Sequence, residues 1–198
     1  MEFVEKLRVS LNATYIDQNV ILRPLQTCVE MLRDRGLNIV DVAESIDDVF
    51  NRAHNEEAVV VGSRGPDWTT RVMFQLEERV SVKTIRTLME DSDYDQTIFV
   101  SLEGATSFAK KEAISTWGAR HVQFFKYRDL IINITHHFLV PKHEATKDHS
   151  EQKAYLPHML TSDPVCQYYD FQPGEIVKIT RTKGSVHPFP YYRLVVSC

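Results

Sequence analysis

Apolar positions in the first two-thirds of the chain switch between helical and strand spacing. Leu22, Leu25, Val29 and Leu32 recur at steps of three and four, which marks one face of a helix. Arg33 and Arg35 follow at its end, where cations complement the helix dipole. Gly36 then suits a left-handed stop. Pro24 predicts that the regular helix starts near it, because a proline deeper inside removes a backbone hydrogen bond. Val42, Ile46 and Phe50 form a weaker stripe that predicts a helix over 41–54. Ala58–Gly62 reads as a short strand, Ser63–Asp67 as a loop, and Arg71–Leu76 as a strand with Val72, Phe74 and Leu76 inward. Val82–Met89 then reads as a helix with Ile85, Leu88 and Met89 apolar, and Thr97–Val100 as a strand. Ser107–Trp117, with Phe108, Ala113, Ile114 and Trp117, reads as a helix stopped at Gly118, and His121–Phe125 as a strand. Strand, helix, strand, helix, strand predicts an α/β N-terminal domain, a small sheet covered by helices. Leu130–Ile134 is apolar and fits either strand or helix.

The last forty residues follow a different pattern. Asp163 suits a helix cap, because its carboxylate accepts the orphan amides of a first turn. Pro164 fits the first helical position, and Val165, Tyr168 and Tyr169 then share a face. Gln172-Pro173-Gly174-Glu175 predicts a type II turn, with proline presetting the second position and glycine accepting positive φ at the third. Glu175–Arg181 alternates, with Val177 and Ile179 on one face. Tyr191–Val196 is β-rich and pairs back as an antiparallel strand across a loop, Thr182–Pro190, whose Gly184, Pro188 and Pro190 do not suit a central strand. These parts predict a small α+β C-terminal domain. Between the two patterns, Lys142–Lys153 is charged and lacks any large apolar residue, and the domain boundary is placed there.

Composition narrows the function classes. The chain has 198 residues, 43% hydrophobic and 25% charged, ordinary for a globular protein. A net charge of −4 argues against non-specific phosphate binding by the whole surface, so any nucleic-acid contact must be a local patch. Cys28, Cys166 and Cys198 are far apart and form no Cys-x-x-Cys, so neither a zinc site nor a disulfide framework is supported. Reduced thiols of a cytosolic or nuclear protein are expected. Glu2, Glu5 and Lys6 interrupt any apolar leader, and no signal peptide or membrane span is expected.

The candidate chemistry is sparse. His136, His137, His143 and His149 invite a metal reading, but His136 and His137 point apart on a strand or a helix, and no cysteine is near. No metal and no cofactor is expected, and the rings are read as polar contacts at the domain junction. A nuclease alternative needs an acid-x-lysine pair at a strand end to hold Mg²⁺. The one Glu-x-Lys, Glu151-Gln152-Lys153, lies in the charged run, and Leu76–Arg79 and Phe124–Tyr127 offer none. No catalytic residue is expected. Thr106, Ser107, Lys110 and Lys111 are the DNA-facing candidates, since a helix start offers free amides to a phosphate and lysines add charge. On the residues alone, a solvated charged face is the favoured reading. Arg181 and Arg193 either cover their own domain edge or make multi-donor contacts with another subunit. Tyr168, Tyr169, Tyr191 and Tyr192 fit either an interface or a core.

Specific residues go further. Asp163-Pro164-Val165, then Gly174-Glu175-Ile176-Val177-Lys178-Ile179 and Arg181, then Tyr192-Arg193, resemble the C-terminal assembly domain of the fifth-largest subunit shared by eukaryotic RNA polymerases. Archaeal RNA polymerases have a counterpart of it. Asn133–His143 resembles the segment where that family's N-terminal domain joins the assembly domain, and Met31–Gly36 the end of its first helix. The resemblance implies an N-terminal jaw-like domain over 1–140 and an assembly domain over 141–198. It implies a non-catalytic subunit of a multi-subunit DNA-directed RNA polymerase acting in transcription. Its partners would be the largest subunit, other polymerase subunits and downstream duplex DNA bound without sequence readout. His136, His143, Pro164, Arg181, Tyr192 and Arg193 would lie at the subunit interface. The 105–109 loop would lie near DNA, although Ser107 and Phe108 stand where the family often has proline and serine. A Mg-dependent nuclease-like protein and a free-standing DNA-binding adaptor are the alternatives. The run from His143 to Leu156-Pro157 is shorter than in typical cellular members, which leaves a divergent eukaryote and a large cytoplasmic DNA virus both open. The expected location is the nucleus in the first case and the host cytoplasm or virion in the second.

Overall fold

The computed structural model describes residues 2–10, 18–90, 93–118, 121–148, 150–181 and 189–197. The chain divides into two compact units, residues 1–132 and 133–198, each with its own mixed sheet and helices.

The first unit opens with helices α1 (Glu2–Ser10) and α2 (Gln18–Asp34). Helix α2 runs through Pro24, contrary to the expected start there. The proline ring is buried on the same side as Ile21, Leu25 and Cys28, so apolar burial offsets the missing amide bond. The buried stripe is therefore Ile21, Leu25, Cys28 and Leu32, with Leu22 and Val29 at its margin. Gly36 stops the helix at φ +79°, and Leu37 N–H returns to the Leu32 carbonyl at 2.9 Å, a Schellman closure.

Strand β1 (Asn38–Val42) follows, then α3 (Ile46–His54), β2 (Val60–Ser63) and β3 (Thr69–Phe74). The expected helix over 41–54 is thus shorter, with Asp41 and Val42 in the strand and helix only from Ile46 to His54. Ser45 accepts from Asp48 N–H and starts the helix only at Ile46, while Asn38–Val42 pairs with β2. Next come α4 (Val82–Glu90), β4 (Gln96–Ser101), α5 (Ser107–Thr116) and β5 (Val122–Lys126). The sheet order is β1-β2-β3-β4-β5, antiparallel across the first three strands and parallel across the last three.

Register assigns the faces. Met73, Phe99 and Phe124 align across β3, β4 and β5 and pack with Ile85 and Met89 of α4 and Ala109 and Ala113 of α5. Val72, Ile98 and Gln123 align on the opposite face, where Arg35 at the end of α2 donates to Gln123 Oε1 at 2.9 Å. Gly62 on β2 lies on that face too, and a Cβ there would meet Leu32 Cδ1 at 3.2 Å, so glycine permits the close approach of α2. Because both faces are covered, residues 70–75 are all buried, rather than the alternate positions expected. The ambiguous stretch Leu130–Ile134 is neither strand nor α-helix: Leu130 ends a 3₁₀ turn, Tyr127–Leu130, in which Tyr127 and Leu130 are buried, and Ile134 starts another.

The second unit begins with a 3₁₀ turn, Ile134–His136, and contains β6 (Lys142–Thr146), β7 (His158–Leu160), α6 (Pro164–Tyr169), β8 (Ile176–Arg181) and β9 (Phe189–Val196). Its sheet order is β6-β8-β9-β7, with β7 parallel to β9 and the other pairs antiparallel. The charged run 142–153 is not plain linker. Its first five residues form the edge strand β6, where Lys142 and Glu144 point outward and pair at 2.7 Å. Pro190 is the second residue of β9 instead of the end of a loop. It sits beyond the reach of the three-residue β7, so its missing N–H faces no neighbouring strand. Met159, Val165, Cys166, Phe171, Val177, Ile179 and Val195 form the core, with Ile134, Val140 and Tyr169 against it.

Candidate functional site

The DNA-facing candidates sit on a braced helix start. Val80 bridges Ala105, Thr106 N–H donates to the Val80 carbonyl at 3.2 Å, and the Ser101 hydroxyl donates to the Gly104 carbonyl at 2.7 Å. Gly104 takes φ +78° to make that turn. Thr106 then caps α5, its hydroxyl accepting from Ala109 N–H at 3.2 Å. Ala109 and Ala113 face the core, so Ser107, Phe108, Lys111 and Ile114 project outward, with Lys110 exposed beside them. Phe108 is 80% exposed and Ile114 57%, a larger apolar display than a buried helical stripe allows. Among the described residues neither lysine is in an ion pair, whereas Arg86 holds Glu112 at 2.5 Å and Lys126 lies 3.7 Å from Glu103.

The C-terminal candidates divide into two groups. Asp163 caps α6, accepting from Val165 N–H at 2.9 Å and Cys166 N–H at 3.4 Å, with Pro164 at the first helical position. His143 on β6 is half-buried and donates through Nδ1 to the Pro141 carbonyl at 2.7 Å. Burial pulls its pKa down, the hydrogen bond to Pro141 and the Asp163 carboxylate oppose that, and Arg193 adds to it. His143, Asp163 and Arg193 therefore share one electrostatic neighbourhood, although 20 and 30 residues separate them in sequence. Arg193 is exposed, and its guanidinium lies 3.4 Å from the His158 carbonyl oxygen. Arg181, at the outer end of β8, stacks over the Tyr191 ring at 5.0 Å. Tyr192 is opposite Lys178 and points to the other sheet face. His136 is exposed at the end of its turn.

The tyrosines separate cleanly. Tyr168 is 2% exposed and accepts from Asn133 Nδ2 at 3.0 Å, and Tyr169 packs on the core. Tyr191 is 47% exposed. Sequence reasoning passed over Phe189, 62% exposed beside it, and treated Asp163 as a cap alone. Register on β9 was the signal for Phe189, since it shares a side with Tyr191 and Arg193.

Among the described residues no group of three or more His, Cys, Asp or Glu side chains is placed to hold a metal ion. His149, and the side chains of Glu151 and Gln152, lie outside the described residues. Lys153 is engaged elsewhere, donating to the Gly174 carbonyl at 2.8 Å behind the Pro-Gly turn. That turn is as expected, with Gly174 at φ +90° and Glu175 N–H returning to the Gln172 carbonyl at 3.1 Å.

The cap, turn and hairpin coincide with a known family, since residues 132–195 match "RNA polymerase Rpb5, C-terminal domain". The chain is a relative of the fifth shared RNA polymerase subunit. Its similarity extends beyond that domain. It is 29% identical over 196 residues to "DNA-directed RNA polymerases I, II, and III subunit rpabc1" of Dictyostelium discoideum, covering 91% of this chain and 99% of that one. It is 26% identical to the RPABC1 subunit of Caenorhabditis briggsae, over 91% of this chain and 87% of the relative. It is 24% identical to "DNA-directed RNA polymerase subunit 5-like protein 1" of Arabidopsis thaliana, over 89% and 95% respectively. The aligned length therefore extends into both units of this Rpb5 relative.

Proposed function

We propose that this Rpb5 relative is a non-catalytic subunit of a multi-subunit DNA-directed RNA polymerase. Its second unit anchors it to the largest subunit, and its first unit lines the path of downstream duplex DNA as part of the lower jaw. The observation that carries the reading is the family match over 132–195, a stretch that coincides with one compact unit holding Asp163, Gly174 and the β8–β9 hairpin in their motif positions. Support for the anchor comes from Arg181 and Arg193, exposed arginines of the kind enriched where subunits meet. Support for the DNA side comes from the capped start of α5 with Lys110 and Lys111 exposed. Lysines placed so hold phosphates by charge and do not read bases. The work of the subunit is positional, and the chemistry of transcription belongs to other subunits. Its location is that of the polymerase, nuclear for a cellular enzyme and in the host cytoplasm or virion for a viral one.

Purification of the tagged full chain from native lysate, with partners identified by mass, tests the reading. The expected result is recovery with two much larger polymerase subunits and no Mg²⁺-dependent cleavage of DNA by the chain alone. Recovery as a lone protein that cuts DNA would overturn it in favour of the nuclease.

A further inference from the structure

The β8–β9 hairpin extends beyond the core that covers its inner half. Arg181 is opposite Phe189 and Ile179 opposite Tyr191, so Phe189, Tyr191 and Arg193 lie on the side that carries buried Val177 and Val195. At the outer end, however, Phe189 and Tyr191 are 62% and 47% exposed. Their rings meet edge to face at 5.3 Å, and the Arg181 guanidinium stacks on Tyr191 at 5.0 Å. A guanidinium held over a ring by cation–π attraction still carries N–H donors for further acceptors. Among the described residues no carboxylate pairs with Arg181. Within β8 and β9 no aspartate or glutamate is present, and Arg193 shares the face of Arg181, whereas Glu144 of β6 lies opposite Lys178 on the other face.

We propose that the outer half of this hairpin receives an acidic, extended protein segment from another subunit of the assembly. Carboxylates of that segment meet the N–H donors of Arg181, and its apolar side chains lie against Phe189 and Tyr191. Burial of two aromatic rings around an arginine is the composition of an interface hot spot. A nucleic-acid backbone would call for a regular row of cations, whereas this outer end presents one arginine over the Tyr191 ring, with Phe189 beside that ring. The proposal rests on the assembly reading and specifies the chemistry of one contact within it.

The test uses the complete complex, with p-benzoylphenylalanine replacing Phe189 in the full chain. After irradiation, the crosslinked peptide is mapped by mass spectrometry, with yields normalised to incorporated chain. The expected adduct is a single segment of another subunit carrying net negative charge. Arg181→Glu should lower its yield about ten-fold and Arg181→Lys should retain most of it. An adduct to nucleic acid, to a neutral or basic segment, or no adduct within an assembled complex overturns the proposal while leaving the assembly reading intact. A chain that enters no large complex overturns both.

Discussion

Arg71 on β3 donates through Nε to the Thr97 hydroxyl on β4 at 3.0 Å, and its other arm reaches the Leu88 carbonyl in the last turn of α4. The side chain is 8% exposed, with Tyr94 5.0 Å from its charged centre. Burial lowers its pKa, and Tyr94 works against that. Arginine nevertheless stays charged, because its ordinary value lies above 12. One cation thus ties a helix end to two strands. Arg71→Ala leaves the Leu88 carbonyl and Thr97 hydroxyl without it and should cost about 2–3 kcal/mol, read as a lower urea midpoint.

Lys110→Glu with Lys111→Glu reverses two exposed charges without touching the core face of α5. Assembly into the complex should be unchanged, and retention of downstream duplex at low salt should fall. Normal retention would remove the start of α5 from the DNA path. Thr106→Ala is a useful companion, because loss of the cap should cost about 1 kcal/mol of stability whether or not DNA is present.

Cys28 is wholly buried, which pushes its thiol up to about 12, and Cys166 is 1% exposed with its Sγ 3.5 Å from the Phe171 carbonyl oxygen. The thiolate is the reactive form, so the folded chain should leave both cysteines unmodified by iodoacetamide at pH 8. Peptide mapping should find them alkylated only after denaturation. Labelling of Cys28 in the native chain would contradict its packing.

His143 has its pKa lowered in the folded chain, mainly by burial. The unfolded chain therefore binds the proton more readily. Stability should be level above the ordinary imidazole value of about 6.5 and fall as pH drops below it. His143→Gln should flatten that part of the thermal-midpoint profile between pH 8 and 5. An unchanged slope would assign the loss to other groups.

The strongest local signals were legible. Asp163-Pro164 started a helix, Pro173-Gly174 turned the chain, Gly36 stopped α2, and Val177 and Ile179 faced a core. Each depends on a few neighbouring residues and on backbone sterics. What tertiary packing decides was not legible. Pro24 stays within a helix because its ring is buried, and Asn38–Val42 is a strand because β2 is there to pair with it. Lys142–Thr146 has the composition of linker yet completes a sheet edge. For the candidate site, sequence supplied His143, Pro164 and Arg193, but that His143 and Arg193 lie on one face of the sheet required the register across β6, β8 and β9.

The shortness of β7 has one more effect. Leu194 N–H reaches the Pro157 carbonyl at 2.9 Å, so even-numbered amides of β9 point toward that rim. Two positions farther out than Tyr192, the rim carries Pro190, which has no amide hydrogen to offer. A stray strand from a second molecule finds a missing rung there and cannot zip along the edge. The same proline that interrupts a ladder thus shields this end of the molecule from edge-to-edge aggregation.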